Sequence, residues 1–211
     1  IVGTANCYLI QGAGHYKFKP VIGNTDATVG NVKSVEVLWE SFGTDEKPNV
    51  GDLITTVSYK NGYVHFSTSE IFRDGNAVIA AKNSKGTILW SWHIWFSAEG
   101  WKEQVYFNDA GTMMDRNLGA ISANPGEVGT LGLFYQWGRK DPFMGPASVS
   151  SNSQALSTGQ WSIYTTYGKE YTLFDINPMT FYSQFPVASC EMSEKTVYDP
   201  CPVGWRVPDG G

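Results

Sequence analysis

Through the first hundred residues, apolar and polar positions alternate with a period of two, the mark of half-buried strands rather than helices. The stretch SVEVLWES (34–41) sets Val35, Val37 and Trp39 on one face and Glu36 and Glu40 on the other. LITTVSYKNGYVHFSTS is two β-rich runs joined at Asn61-Gly62, a pair that favours the positive φ angles of a type I′ hairpin turn. NAVIAAKNSKGTILWSWHIWF repeats the plan with a longer turn at Asn83-Ser84-Lys85-Gly86. In its last strand Trp90, Trp92, Ile94 and Phe96 share one face, and Ser91, His93 and Trp95 share the other. With CYLI and HYKFKPV, about seven strands separated by short turns predict an antiparallel β-sandwich over residues 1–98. Trp39, Phe66, Trp90 and Trp92 are its expected core, and no helix is expected before residue 98.

The texture then changes. Residues 99–111 read as a linker, and VYFNDAGTMMDRNLGA as further extended structure. LGLFYQWGRKDPF (131–143) bunches Leu131, Phe134, Tyr135 and Trp137 at spacings that predict a short helix ended by Gly138 and Pro142. Residues 144–183 are polar and rich in Gly, Ser and Thr, with Trp161, Tyr164, Tyr167 and Tyr171 set among them. Rigid rings with small polar neighbours suit sugar or protein surfaces, which makes these four candidate ligand contacts. The alternative is that they fold back to cover a core.

Composition narrows the function classes. Of the 211 residues 42% are hydrophobic and 17% charged, enough apolar surface for a core. Residues 1–98 balance their charges, so the whole net charge of −5 falls on residues 99–211. That half would repel nucleic acid, and no basic stripe offsets it. No apolar run reaches the roughly 18 residues of a membrane helix. The start, IVGTANCYLI, lacks a basic segment or cleavage pattern, so a targeting signal is expected to have been removed.

Candidate chemistry is sparse. Cys7, Cys190 and Cys201 lack C-x-x-C spacing, which argues against zinc and thioredoxin-like sites. Cys190 and Cys201 can close a small disulfide loop or stand as two thiols, while Cys7 reads as a buried thiol. Glu36 and Glu40 lie about 13 Å apart along a strand, too far for a glycosidase pair at about 5–9.5 Å; a solvated strand face is expected. His15, His65 and His93 are isolated and are expected on sheet surfaces. No nucleophile–base pair or metal-ligand set is legible, so neither catalysis nor a cofactor or metal is expected.

Three ordered motifs carry a resemblance. MMDRNLGA (113–120), GLFYQWGRKDPF (132–143) and YDPCPVGWRVP (198–208) resemble the opening of the Fibrobacter succinogenes major paralogous domain, found in surface and secreted proteins of Bacteroidetes-type bacteria. The preceding TANCYLI, GHYKFKPVIGN and VEVLWESFGT resemble the β module that often stands before it. The resemblance implies a partial α+β C-type-lectin-like domain over 112–211, continuing beyond Gly211. In it Trp205 and Val207 begin a strand that packs on the 131–143 helix.

It further implies that Asp115, Arg116, Trp137 and Trp205 are framework residues rather than ligand contacts. Calcium-lectin signatures and the close thiol pair of formylglycine-generating relatives are absent from the sequence, so the enzyme branch is disfavoured. The expected function is a secreted or cell-surface, non-catalytic adhesion module for a glycan or surface protein. A subunit of a fimbrial or other surface assembly is the alternative, with an enzyme third.

Overall fold

The computed structural model describes residues 1–107, 111–143, 145, 154–157, 161–164, 171–182 and 194–208. Seven strands precede residue 98: β1 (Cys7–Ile10), β2 (His15–Phe18), β3 (Ser34–Ser41), β4 (Ile54–Lys60), β5 (Tyr63–Thr68), β6 (Gly75–Lys82) and β7 (Ile88–Phe96). Shorter elements follow: β8 (Glu103–Val105), β9 (Thr112–Met114), a 3-10 turn (Val128–Thr130), β10 (Phe134–Tyr135), β11 (Pro142–Phe143), β12 (Gln154–Leu156), β13 (Ser162–Tyr164), α1 (Tyr171–Ile176) and β14 (Thr180–Tyr182). The chain is mainly β. Among the described residues no helix is long and apolar enough to cross a membrane.

A five-stranded sheet runs β1-β7-β6-β3-β12 and a three-stranded sheet runs β2-β5-β4. One hydrophobic cluster joins them. Trp90, Trp92, Ile94 and Phe96 of β7 meet Phe18, Val64 and Phe66 of the smaller sheet, with Phe18 edge-on to Trp92 at 5.1 Å. The β4–β5 turn has φ of 53° at Asn61 and 79° at Gly62, the left-handed pair that the type I′ turn requires.

Several expectations need correction. The larger sheet is not wholly antiparallel, because β1 pairs with β7 in parallel. Nearly the whole intervening module separates these strands, so no hairpin fixes their sense. A bulge in β3 between Val37 and Trp39 resets the alternation. Val37 faces the first cluster, whereas Leu38 and Trp39 face a second one on the opposite side of the sheet. Trp39 is thus buried, but in a different core from Trp90. Glu40 turns inward as well and is only 1% exposed, whereas Glu36 pairs with Lys82. The two carboxylates therefore do not share a solvated face.

The region read as a linker contains β8, which pairs with β9 as a hairpin. No helix forms over 131–143; a two-stranded ribbon, β10–β11, stands there instead. Gly132 and Gly138 take φ of 70° and 86°, which no right-handed helix accommodates. Residues 205–208 form no strand, and Trp205 packs on Trp101.

These later segments cover the outer face of the five-stranded sheet. β12 pairs with β3, and Leu133, Leu156, Trp161 and Met179 close over Leu38, Trp39, Val78 and Ala80.

Candidate functional site

The outward row of β7, read from sequence as a sheet surface, lies under a polar layer. Asn76 donates its amide to the Gly119 carbonyl at 2.9 Å, so its oxygen must be the acceptor for His93 Nε2 at 2.9 Å. His93 Nδ1 then carries the lone pair and accepts from the Tyr135 hydroxyl at 3.1 Å. Burial holds the imidazole neutral, with its pKa lowered to about 3. The same burial raises the Tyr135 phenol well above its ordinary value. One residue pair along β7, the ammonium of Lys140 donates to Ser91 Oγ at 2.7 Å and to Asp141 at 2.8 Å, over the Trp90 ring at 4.4 Å. Ser91, Lys140 and Asp141 are all buried, so this serine–lysine contact is sealed from any substrate and pins the 134–143 ribbon to the sheet.

The YDPCPVGWRVP segment is organised by one ion pair. Asp199 accepts from the Cys201 and Val207 amides, each at 2.8 Å, and from Lys195 Nζ at 2.9 Å. Lys195 donates further to the Cys201 and Trp205 carbonyls at 2.8 and 2.7 Å. Asn6 ties the loop to β1, donating to the Val197 and Asp199 carbonyls at 2.7 and 2.9 Å while accepting from Trp90 Nε1 at 3.0 Å. Trp205 is then held by a ladder of rings: Trp95 of β7 stacks on Trp101 at 5.5 Å, and Trp101 meets Trp205 edge-on at 6.1 Å.

Opposite this loop, Asp115 bridges both ends of the β8–β9 hairpin. Its backbone amide donates to the Lys102 carbonyl at 2.9 Å, and its carboxylate accepts from the Lys102 amide at 3.1 Å and from Arg116 Nε at 2.8 Å. The bond from Arg116 leads the causes that hold the Asp115 pKa below the ordinary carboxylate value. Between the hairpin and the loop lies a cleft of about 960 Å³, at the upper end of the range for ligand sites. Residues 111–118 form one wall, and Gly204, Trp205, Arg206 and Pro208 form the other.

Three of the four motif residues, Asp115, Arg116 and Trp205, meet at this cleft; Trp137 is about half-exposed in the β10–β11 turn and does not line it. Of the aromatic candidates, Trp161 is partly buried against Trp39 and Phe143, at 5.9 and 5.5 Å, and caps the second core. Tyr167 and Cys190 lie outside the described residues, as do the side chains of Tyr164 and Tyr171. Cys201 lines the cleft and Cys7 is buried, with burial the main cause of its raised thiol pKa. Among the described residues no group of three His, Cys, Asp or Glu could hold a metal.

Sequence reasoning missed Trp101, which supports Trp205. Its signal was a lone tryptophan after Gly100 in a polar stretch. It placed His93 on a sheet surface and did not single out Lys140, because the contacts from Tyr135 to His93 and from Lys140 to Ser91 span 42 and 49 positions.

Compared with family profiles, curated proteins and solved structures, the chain matches none.

Proposed function

We propose that the chain is a non-catalytic binding or adhesion module of a secreted or cell-surface bacterial protein, and that its ligand site is the Trp205 cleft. One observation carries this reading: a partly exposed tryptophan, fixed by its ring ladder, faces Asn117, Asp115 and Arg116 across a ligand-sized cleft. A rigid ring beside fixed polar groups suits the face and hydroxyls of a sugar, or the side chains of a protein surface. Asp115 and Arg116 thereby serve both as framework and as cleft wall.

The two sheets around the first core fit the β-sandwich module of the resemblance. The three motif segments resemble in sequence the opening of a lectin-like paralogous domain. That likeness supports the surface location, with glycans or surface proteins as partners. A second reading, a subunit of a surface assembly, is favoured by the exposed row Val105, Tyr106 and Phe107, the last 91% exposed.

Screening the protein against glycan and surface-protein arrays tests the proposal. Trp205→Ala should weaken any ligand found by about 2 kcal/mol, roughly thirtyfold, as truncated aromatic anchors do. Asn117→Ala, at an exposed position, should weaken it less. A ligand bound equally well by both variants, with circular dichroism unchanged, would place the site elsewhere.

A further inference from the structure

We infer that the cleft takes an extended polypeptide segment, which adds along the outer edge of β9 as a third strand of the β8–β9 ribbon; this rests on the reading of the cleft as the ligand site. The backbone pattern decides which groups are available. The Asp115 amide bonds to the Lys102 carbonyl and the Tyr106 amide to the Gly111 carbonyl. Bonded and non-bonded positions alternate in an antiparallel pair. Gln104 and Met113, paired between those two, therefore face each other through their backbones. Thr112 and Met114 then turn their N–H and C=O groups away from β8.

No described strand takes up those groups, and both residues line the cleft. Residues 111–118 line the cleft as an unbroken run, to which β9 contributes Thr112, Met113 and Met114. Equivalent outward groups on a strand repeat about every 6.8 Å, the repeat of a partner strand's own backbone. Such an edge recognises main chain in extended form, with side chains entering at alternate positions. The free edge of β8 lacks the second wall that Gly204, Trp205, Arg206 and Pro208 give β9.

Charge selects among peptides. Asp115 is held by Arg116 and Arg206 of the opposite wall donates to the Val207 carbonyl at 3.1 Å, whereas Glu103, exposed and also lining the cleft, has no described partner. Residues 99–211 hold the whole negative excess of the chain. The fitting segment therefore alternates apolar residues on the face of Met113 with lysine or arginine on the face that Met114 shares with Glu103.

The test uses the full chain with octapeptides alternating valine and lysine, the same peptides with glutamate for lysine, and a panel of neutral and acidic oligosaccharides. The lysine peptide is expected to bind at least tenfold more tightly than the glutamate peptide. It should slow amide hydrogen exchange at Thr112 and Met114 but not at Met113. N-methylation of alternate peptide amides should abolish binding in one phase and spare it in the other. Met114→Pro, which removes an outward donor and no β8 bond, should also abolish it; the methylation series reads the same contact should that variant fail to fold. Equal losses in both methylation phases would overturn strand addition. Oligosaccharide binding that Trp205→Ala abolishes, with no peptide binding, would overturn it while leaving the cleft as the ligand site. Binding by neither class would overturn both.

Discussion

His93 and Asp175 set opposing pH dependences. His93 is 1% exposed, and burial lowers its pKa from 6.5 to about 3. Its folded pKa is depressed, so the unfolded chain binds more protons below pH 6.5. Stability from this group is therefore lost as pH falls from 6.5 to about 3, by up to about 5 kcal/mol. Asp175 in α1 runs the other way, its pKa raised from 3.8 to about 6, mainly by burial. Its charged form is a cost that protonation relieves as pH falls from 6 to 3.8, by up to about 3 kcal/mol. Between pH 6 and 4 the two largely cancel. Urea unfolding at pH 7, 5 and 4 should show Asp175→Asn losing more stability on acidification than the parent chain, and His93→Gln losing less. Parallel curves for all three proteins would mean that neither group titrates as its burial dictates.

At the scale of elements, what the sequence revealed depended on how far away the deciding partner lay. The Asn61-Gly62 turn and the Trp90–Phe96 face were legible because a period of two and a two-residue turn are local properties. The β3 bulge was not. It places Glu40 inside, where its carboxylate accepts from the Gly51 and Ile54 amides at 2.7 Å each, groups that alternation within β3 says nothing about. Burial raises the Glu40 pKa, and those amides counteract it. The 131–143 helix failed for a comparable reason, since apolar spacing outweighed two glycines whose φ angles are positive. A Cβ on Gly132 would lie 2.6 Å from the Leu118 carbonyl oxygen, a backbone atom with little room to move. Gly132→Ala should therefore cost about 2–3 kcal/mol, combining left-handed strain with a displaced turn. A midpoint shift in chemical denaturation measures it. A neutral or stabilising substitution would show that the 131–143 segment can take the helical course after all.

For the molecule as a whole, the five-stranded sheet is the shared wall of two cores. One face packs on the smaller sheet; the other carries Leu133, Met179, Trp161 and the polar layer around His93 and Lys140. The sequence hinted at the first core through seven alternating strands. It hid the second, whose members come from β3, β6, the start of β7 and four short segments between residues 133 and 179. Trp39 stands at that junction, 5.9 Å from the Trp161 ring. Trp39→Ala should cost about 3–5 kcal/mol, as large aromatic deletions in cores do. Its reach is the more telling quantity. If the outer layer and the sheet form one cooperative unit, native-state hydrogen exchange should speed up by a similar free energy in β3, β6, β12 and β14. Acceleration confined to β12 and β14 would instead mean that the outer layer opens on its own. In that case the cleft, whose Trp205 wall hangs from β7 through Trp101, should keep its ligand affinity in the variant.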